Sequence, residues 1–213
     1  MDAIRSILEL TYFASGPLLF IVACIGLYQL KIAKDTARLN ARRDSLRLAA
    51  SECDYYHRQI IPLLNALDTA IQENGIVFFE RSEVDVQGET IRVRPNLAKD
   101  ELVKELEKLM TIIKETTEVF NAMEAFALFF VSGVADERVA FSSVGKTYCN
   151  SVKQYLPDLV PISQDGEYYQ NIIKLFLIWN TRFEKQQLLK DKGRIEQQLA
   201  KVRDKFIRPF GAD

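Results

Sequence analysis

The chain has 213 residues and a nearly balanced charge, with 28 Lys and Arg against 29 Asp and Glu. A formal net charge of −1 argues against a general nucleic-acid-binding surface, so we expect no specific nucleic-acid partner. The single histidine, His57, and the three scattered cysteines show no zinc-binding spacing. Composition therefore gives no reason to expect a metal or a cofactor.

The stretch from Leu10 to Leu30 contains no charged residue. Roughly 20 apolar residues at about 1.5 Å each match the ~30 Å hydrocarbon core of a bilayer. A lone segment in lipid satisfies its backbone polar groups only as a helix. We therefore predict a transmembrane helix over residues 10–30, after a short N-terminal segment of residues 1–9.

The residues after this segment are rich in Lys and Arg. An excess of these residues marks the cytoplasmic side of a span, so we predict the N-terminus outside and the rest of the chain inside. The same cations are candidate contacts for anionic lipid headgroups. They are Lys31, Lys34, Arg38, Arg42 and Arg43.

A cleaved signal peptide is the alternative to a retained anchor. Residues Ile21 to Cys24 resemble the site at which bacterial lipoproteins are cut before a cysteine. However, the apolar run continues past Cys24, and the positive charge comes after the segment where a signal peptide has it in front. These two features favour the anchor.

Beyond Lys31 the pattern predicts that the helix continues. Apolar residues recur every seven positions, which is typical of a helix that packs against a partner along one side. They are Ile32, Leu39, Leu46, Cys53, Ile60 and Leu67. We interpret residues 31–48 as a basic juxtamembrane stalk, and residues from 49 onward as the first helix of a bundle or part of a coiled coil. Pro62 predicts a bend.

Residues 49–183 predict a helical cytoplasmic domain with a β-hairpin insert at about 76–94. Glycine at position 75 suits the left-handed position after a helix, and alternating apolar residues flank a turn at Gly88. One long helix is expected from a cap at Asn96 or Asp100 to Val131, with residues 125–131 buried on all sides. We expect a loop between Pro157 and Pro161, and a helix from 168 to 183.

The last segment, residues 184–213, predicts a charged amphipathic helix that can pair with the stalk or with another chain. Its apolar residues are spaced three, four or seven apart. They are Leu188, Ile195, Leu199, Val202 and Phe206. The fold class is therefore mainly α: a transmembrane helix continuing into a stalk, then a helical bundle with a small hairpin.

Two patterns are candidates for chemistry. The stretch from Ala140 to Thr147 resembles a phosphate-binding loop, but it has alanine where that loop requires its first glycine. The second pattern is Asn121 and Glu124, one helical turn apart among apolar residues.

A carboxylate in such surroundings needs a partner. The Glu124 pattern therefore predicts either a small-ligand or acid/base pocket, or a structural Glu–Arg bridge that fixes helix register. Of the two, we favour the structural Glu–Arg bridge. The residues that would form the pocket are Asn121, Glu124, Asp136, Arg138, Asn180 and Arg182. Glu137 is a further candidate for the same cluster.

Residues 121–127, Asn-Ala-Met-Glu-Ala-Phe-Ala, and 133–137, Gly-Val-Ala-Asp-Glu, come after the anchor and the basic helix. In this order they resemble an uncharacterised family of bacterial single-span membrane proteins with a helical cytoplasmic domain. The resemblance implies a location in the bacterial inner membrane and no particular activity.

The function that these observations favour is a membrane-anchored interaction module that forms a homo-oligomer or binds a cytoplasmic protein. Two alternatives remain open at this point. One is an oligomeric effector or sensor that perturbs the membrane, by analogy with anchored proteins of anti-phage defence. The other is a membrane-tethered enzyme that uses the Glu124 pocket.

Overall fold

The computed structural model describes residues 2–164 and 168–201, which are mainly helical with one two-stranded antiparallel sheet. The mainly α fold class is confirmed at this level. The chain divides into two compact units, residues 1–48 and residues 49–213. The elements in chain order are α1 (Asp2–Tyr55), a π-helical turn (Tyr56–Ile60), α2 (Ile61–Glu73), β1 (Ser82–Gln87), β2 (Thr90–Pro95), α3 (Lys99–Thr111), α4 (Ile113–Val131), α5 (Glu137–Gln164) and α6 (Gln170–Lys201).

The first unit consists of most of α1, which runs without interruption from Asp2 to Tyr55. Pro17 lies inside the helix and does not end it. Residues 15–30 are exposed along their whole length. This part of the helix therefore buries none of its apolar side chains within the unit.

In the second unit, a π-helical turn lies just before Pro62, the residue at which the sequence predicts a bend. Proline has no N–H, and its ring clashes with the carbonyl four residues earlier. The chain accommodates this with one wide turn, closed by a hydrogen bond from the Ile61 N–H to the Tyr56 carbonyl. The turn leaves Tyr56 and Ile60 buried.

The hairpin is confirmed, with strands at 82–87 and 90–95 and a turn at Gly88, whose φ is +60°. On the inner face Val84 pairs with Val93, and Val86 pairs with Ile91. Glu83 lies opposite Arg94 on the outer face, where opposite charges across the strands support the register. Both strands pack against α5, which supplies the support that an isolated hairpin lacks in water.

The core of the second unit is an aromatic cluster shared by the π-helical turn, α4, α5 and α6. The ring of Tyr56 lies 5.1 Å from Phe126, and Phe126 lies 5.7 Å from Tyr148. Tyr148 lies 5.1 Å from Trp179. All four residues are fully buried, so elements distant in sequence meet at one point.

The prediction of one helix up to Val131 was wrong, because two helices meet at Ile112. Its backbone has φ −110° and ψ 15°, outside the helical region. Three consecutive β-branched residues, Thr111 to Ile113, disfavour a helix at this point. The predicted cap at Asn96 or Asp100 was also wrong. The first of the two helices has Ala98 as its N-cap, and the Ala98 N–H donates to the Glu101 carboxylate at 3.3 Å.

Two further predictions were wrong in this unit. Pro157 and Pro161 lie inside α5 and do not bracket a loop. The apolar residues around them, Leu156, Leu159 and Val160, are buried, and this burial offsets the missing hydrogen bonds. Residues 125–131 are not buried on all sides, since Leu128 is exposed.

The final helix, α6, continues from Gln170 to Lys201 and joins two segments that the pattern had suggested separately. Its first part carries buried Ile172, Leu175 and Trp179, while Leu188, Ile195 and Leu199 are exposed. Val202 and Phe206 of the predicted amphipathic segment lie outside the described residues.

Candidate functional site

The apolar part of α1 is long and apolar enough to cross a membrane. Its most apolar segment of 18 residues has a mean hydropathy of 1.7 and is 0% buried. The five cations predicted to contact headgroups lie directly after this stretch, and all are exposed in the first unit. Spacings of three and four place four of them on one face of the helix. Those four are Lys31, Lys34, Arg38 and Arg42.

Glu124, from α4, binds the N-terminus of α6. One carboxylate oxygen accepts from the side-chain amide of Asn171 at 2.7 Å and from its backbone N–H at 3.2 Å. The other oxygen accepts from the backbone N–H of Ile172 at 3.0 Å. A helix N-terminus has unpaired N–H groups and partial positive charge, so this carboxylate caps α6 from a different helix.

Asn121 lies one turn before Glu124 and extends the same contact. Its side-chain oxygen accepts from the Tyr169 hydroxyl at 3.3 Å. Tyr169 has φ +57°, the left-handed conformation that residues other than glycine seldom adopt. Asn121 thus contacts a tyrosine that has an unusual backbone conformation just before α6 begins, and Glu124 contacts the first turn of α6.

Arginine pairs with Glu137 in the structure. The Arg182 guanidinium donates to both oxygens of this carboxylate, at 2.8 and 3.1 Å. Trp179 also donates its indole N–H to Glu137, and the guanidinium lies 4.5 Å from the centre of the Phe141 ring. A Glu–Arg bridge between helices therefore exists, but it joins α5 to α6.

The remaining predicted site residues have local partners. Asp136 accepts from the backbone N–H groups of Arg138 at 3.0 Å and Val139 at 3.4 Å, so it caps the start of α5. Asn180 donates to Glu184, one turn further along α6, at 2.7 Å. The structure thus brings Asn121 and Glu124 together at the start of α6. The other four do not join them: Arg138 donates its backbone N–H to Asp136, while Asn180 and Arg182 have other partners.

Sequence reasoning missed Glu105, a carboxylate on α3 with a 6% exposed side chain. It accepts from the backbone N–H groups of Val77 at 2.7 Å and Phe78 at 3.1 Å, and from Lys108 at 2.7 Å. Burial alone would raise the pKa of Glu105, but the hydrogen bonds from Lys108, Val77 and Phe78 hold it below its usual value. The signal was available, because Glu105 shares the face of α3 that carries Leu102 and Leu109.

The stretch that resembles a phosphate-binding loop is part of α5. A side chain added at Gly145 would meet Phe141 at 3.0 Å and Phe183 at 3.5 Å. The glycine therefore leaves room for the ring of Phe141 on the same helix, which packs against the ring of Phe183 on α6 at a centroid distance of 4.6 Å. A helix does not offer the loop of backbone N–H groups that cradles phosphate.

Comparisons with protein-family models, with curated proteins and with solved structures find no match. The family resemblance of residues 121–127 and 133–137 stays a prediction.

Proposed function

We propose that this chain is a membrane-anchored helical interaction module of the bacterial inner membrane. In this proposal residues 10–30 span the bilayer, and the second unit lies in the cytoplasm. The observation that supports it best is the charge-free apolar stretch of α1, whose residues 15–30 are exposed throughout. Lipid would cover this surface, because proteins in water rarely expose large contiguous apolar patches.

The basic segment supports the direction of insertion. Positive residues on the C-terminal side of a span favour the cytoplasm for that side, and here they begin directly after the apolar stretch, at Lys31. Cations on one face of a helix at this depth also suit anionic headgroups. Lys31 and Lys34 lie nearest the end of the apolar stretch and would make the closest contacts.

The second half of α6 supports the interaction role. Leu188, Ile195 and Leu199 share one face of the helix and are exposed. Gly193 lies between them and weakens a helix by about 1 kcal/mol relative to alanine. Because most helical stability in proteins comes from the packing of an apolar face, a second copy or a cytoplasmic protein seated on this face would stabilise it.

The interaction role is tested by replacing the three exposed residues together, as Leu188→Ser, Ile195→Ser and Leu199→Ser. The full chain, solubilised in mild detergent after crosslinking in cells, is expected to lose its crosslinked species in this variant. The matched control replaces Val103 and Met110, exposed on α3, with serine and should retain them. A wild-type chain that is monomeric and captures no protein would contradict the proposal.

A further inference from the structure

A cavity of about 470 Å³ lies within the second unit, where α2, the segment after it, β1 and α5 meet. This volume is within the range of small-molecule sites, about 300–1,000 Å³. Its lining includes apolar Ile71, Phe79 and Val84 beside polar groups from both helices. The polar side chains that matter for its charge are Asp68, Glu80 and Lys153.

Asp68 is a fixed carboxylate on α2. Its Oδ1 accepts from the Tyr155 hydroxyl at 2.6 Å and from the Gln154 side-chain amide at 2.8 Å. Burial and the neighbouring Asp68 raise the pKa of Tyr155 well above its usual value, so the phenol stays protonated and donates. Both donors are therefore neutral, and both hydrogen bonds go to the same oxygen.

Among the described residues, no ion pair balances the negative charge of Asp68. Across residues 2–164 and 168–201, no Lys, Arg or His nitrogen lies within 4.0 Å of its carboxylate. Glu80 brings a second carboxylate to the lining, against one cation, Lys153. A partly buried anion without a counter-charge favours a cation in the space beside it.

The lining also indicates which kind of cation would fit. Within the described part of the chain, no group of three or more His, Cys, Asp or Glu side chains could hold a metal ion. Ile71, Phe79 and Val84 offer apolar contact that suits carbon atoms. An aromatic ring such as that of Phe79 also attracts an ammonium group.

We propose that this cavity binds a small organic amine, whose ammonium group donates to Asp68 and whose alkyl chain lies against Ile71 and Phe79. The residues that line the cavity belong neither to the membrane anchor nor to the exposed face of α6. Lys153 weakens binding of a cation in this arrangement, because it adds positive charge to the lining.

The test titrates 1,5-diaminopentane into the full chain in detergent, followed by calorimetry. The matched probe is 1,5-pentanediol, which has the same length without the charges. The diamine is expected to saturate one site, with the diol at least about tenfold weaker because charge-assisted hydrogen bonds are lost. No saturation by the diamine up to about 10 mM, or equal binding of the diol, would overturn the proposal.

Variants locate the site. Asp68→Asn keeps an oxygen for Tyr155 and Gln154 and is expected to weaken diamine binding at least about tenfold. Asp54→Asn removes the same charge from the ion pair with Arg58, outside the cavity, and should leave the affinity within about twofold. An equal loss in both variants would show diffuse charge attraction and would overturn the proposal.

Lys153→Gln provides a test with the opposite sign. The side chain is exposed, so the variant is expected to fold even if Asp68→Asn does not. Removing its positive charge should tighten diamine binding about two- to threefold. Unchanged or weaker binding in Lys153→Gln would place the amine elsewhere.

Discussion

The two units place the same kinds of residue in opposite environments. In the first unit Leu18 is 63% exposed and Phe20 is 71% exposed. In the second unit Phe126 and Trp179 are both 0% exposed. The second unit contains its own packing partners, whereas the apolar stretch of the first unit has none within it. Apolar content alone therefore does not define a core. The length of the apolar stretch matches the thickness of a bilayer, which is the partner that our proposal gives to the first unit.

The largest expected effect comes from truncating the same residue type in both environments. Phe126→Ala should lower the free energy of unfolding of the second unit by about 3–5 kcal/mol, because it leaves a cavity among buried rings. Phe20→Ala should change it by less than about 0.5 kcal/mol. Denaturant unfolding of the detergent-solubilised chain, followed by the fluorescence of Trp179, measures both. An equal loss of unfolding free energy in Phe126→Ala and Phe20→Ala would contradict the contrast between the two units.

Glu105→Gln is expected to destabilise the second unit by about 2–3 kcal/mol at pH 7, because buried N–H groups of Val77 and Phe78 lose a charged acceptor. Since the folded pKa of Glu105 lies below its ordinary value of 4.5, the wild-type carboxylate stabilises the fold above that pH. This contribution is lost as the pH falls through the folded pKa. The difference in stability between the two proteins, measured by their unfolding curves, should therefore be smaller at pH 3.5 than at pH 7.

The pKa of Asp158 is shifted in the opposite direction to that of Glu105. Burial raises its pKa from 3.8 to about 6, so the folded state binds a proton more tightly than the unfolded state. Stability therefore falls as the pH rises from 4 to about 6. Asp158→Asn should stabilise the unit at pH 8 by about 1–2 kcal/mol, allowing for partial exposure to solvent, and change little at pH 4. A variant that is equally or less stable than wild type at pH 8 would contradict this.

The smallest expected effect concerns the basic segment. For a synthetic peptide of residues 31–48, Arg38→Gln should weaken binding to phosphatidylserine vesicles by about 1 kcal/mol, or roughly fivefold. Ala37→Gln is the matched control on the same stretch and should leave binding nearly unchanged. Binding that does not weaken with added salt would argue against headgroup contact.

Local signals accounted for much of the fold. Gly75, Gly88 and Gly133 have positive φ, as expected of residues that end helices or form a hairpin turn. Asp136 caps α5, and the alternation around Gly88 gave the hairpin. Each of these features depends on a few neighbouring residues, so it can be predicted from the sequence alone.

The break at Ile112 also had a local signal, the β-branched run Thr111 to Ile113. Other failures involve packing between distant segments. The continuation of α5 through Pro157 and Pro161 depends on what Leu156 and Val160 pack against, which no local pattern shows. The candidate site was predicted only in part for the same reason. The one-turn spacing placed Asn121 beside Glu124, but it could not identify the residues that they bind. Their partners, Tyr169 and Asn171, come from residues almost fifty positions away.

In our proposal, a membrane holds the apolar stretch of α1, with the second unit on the inner side. The most direct measurement is protease digestion of intact bacterial spheroplasts that express the full chain. We expect residues 49–213 to resist digestion until detergent is added, and the chain to sediment with membranes. Digestion of this unit in intact spheroplasts, or a chain that stays in the supernatant after ultracentrifugation without detergent, would contradict the claim.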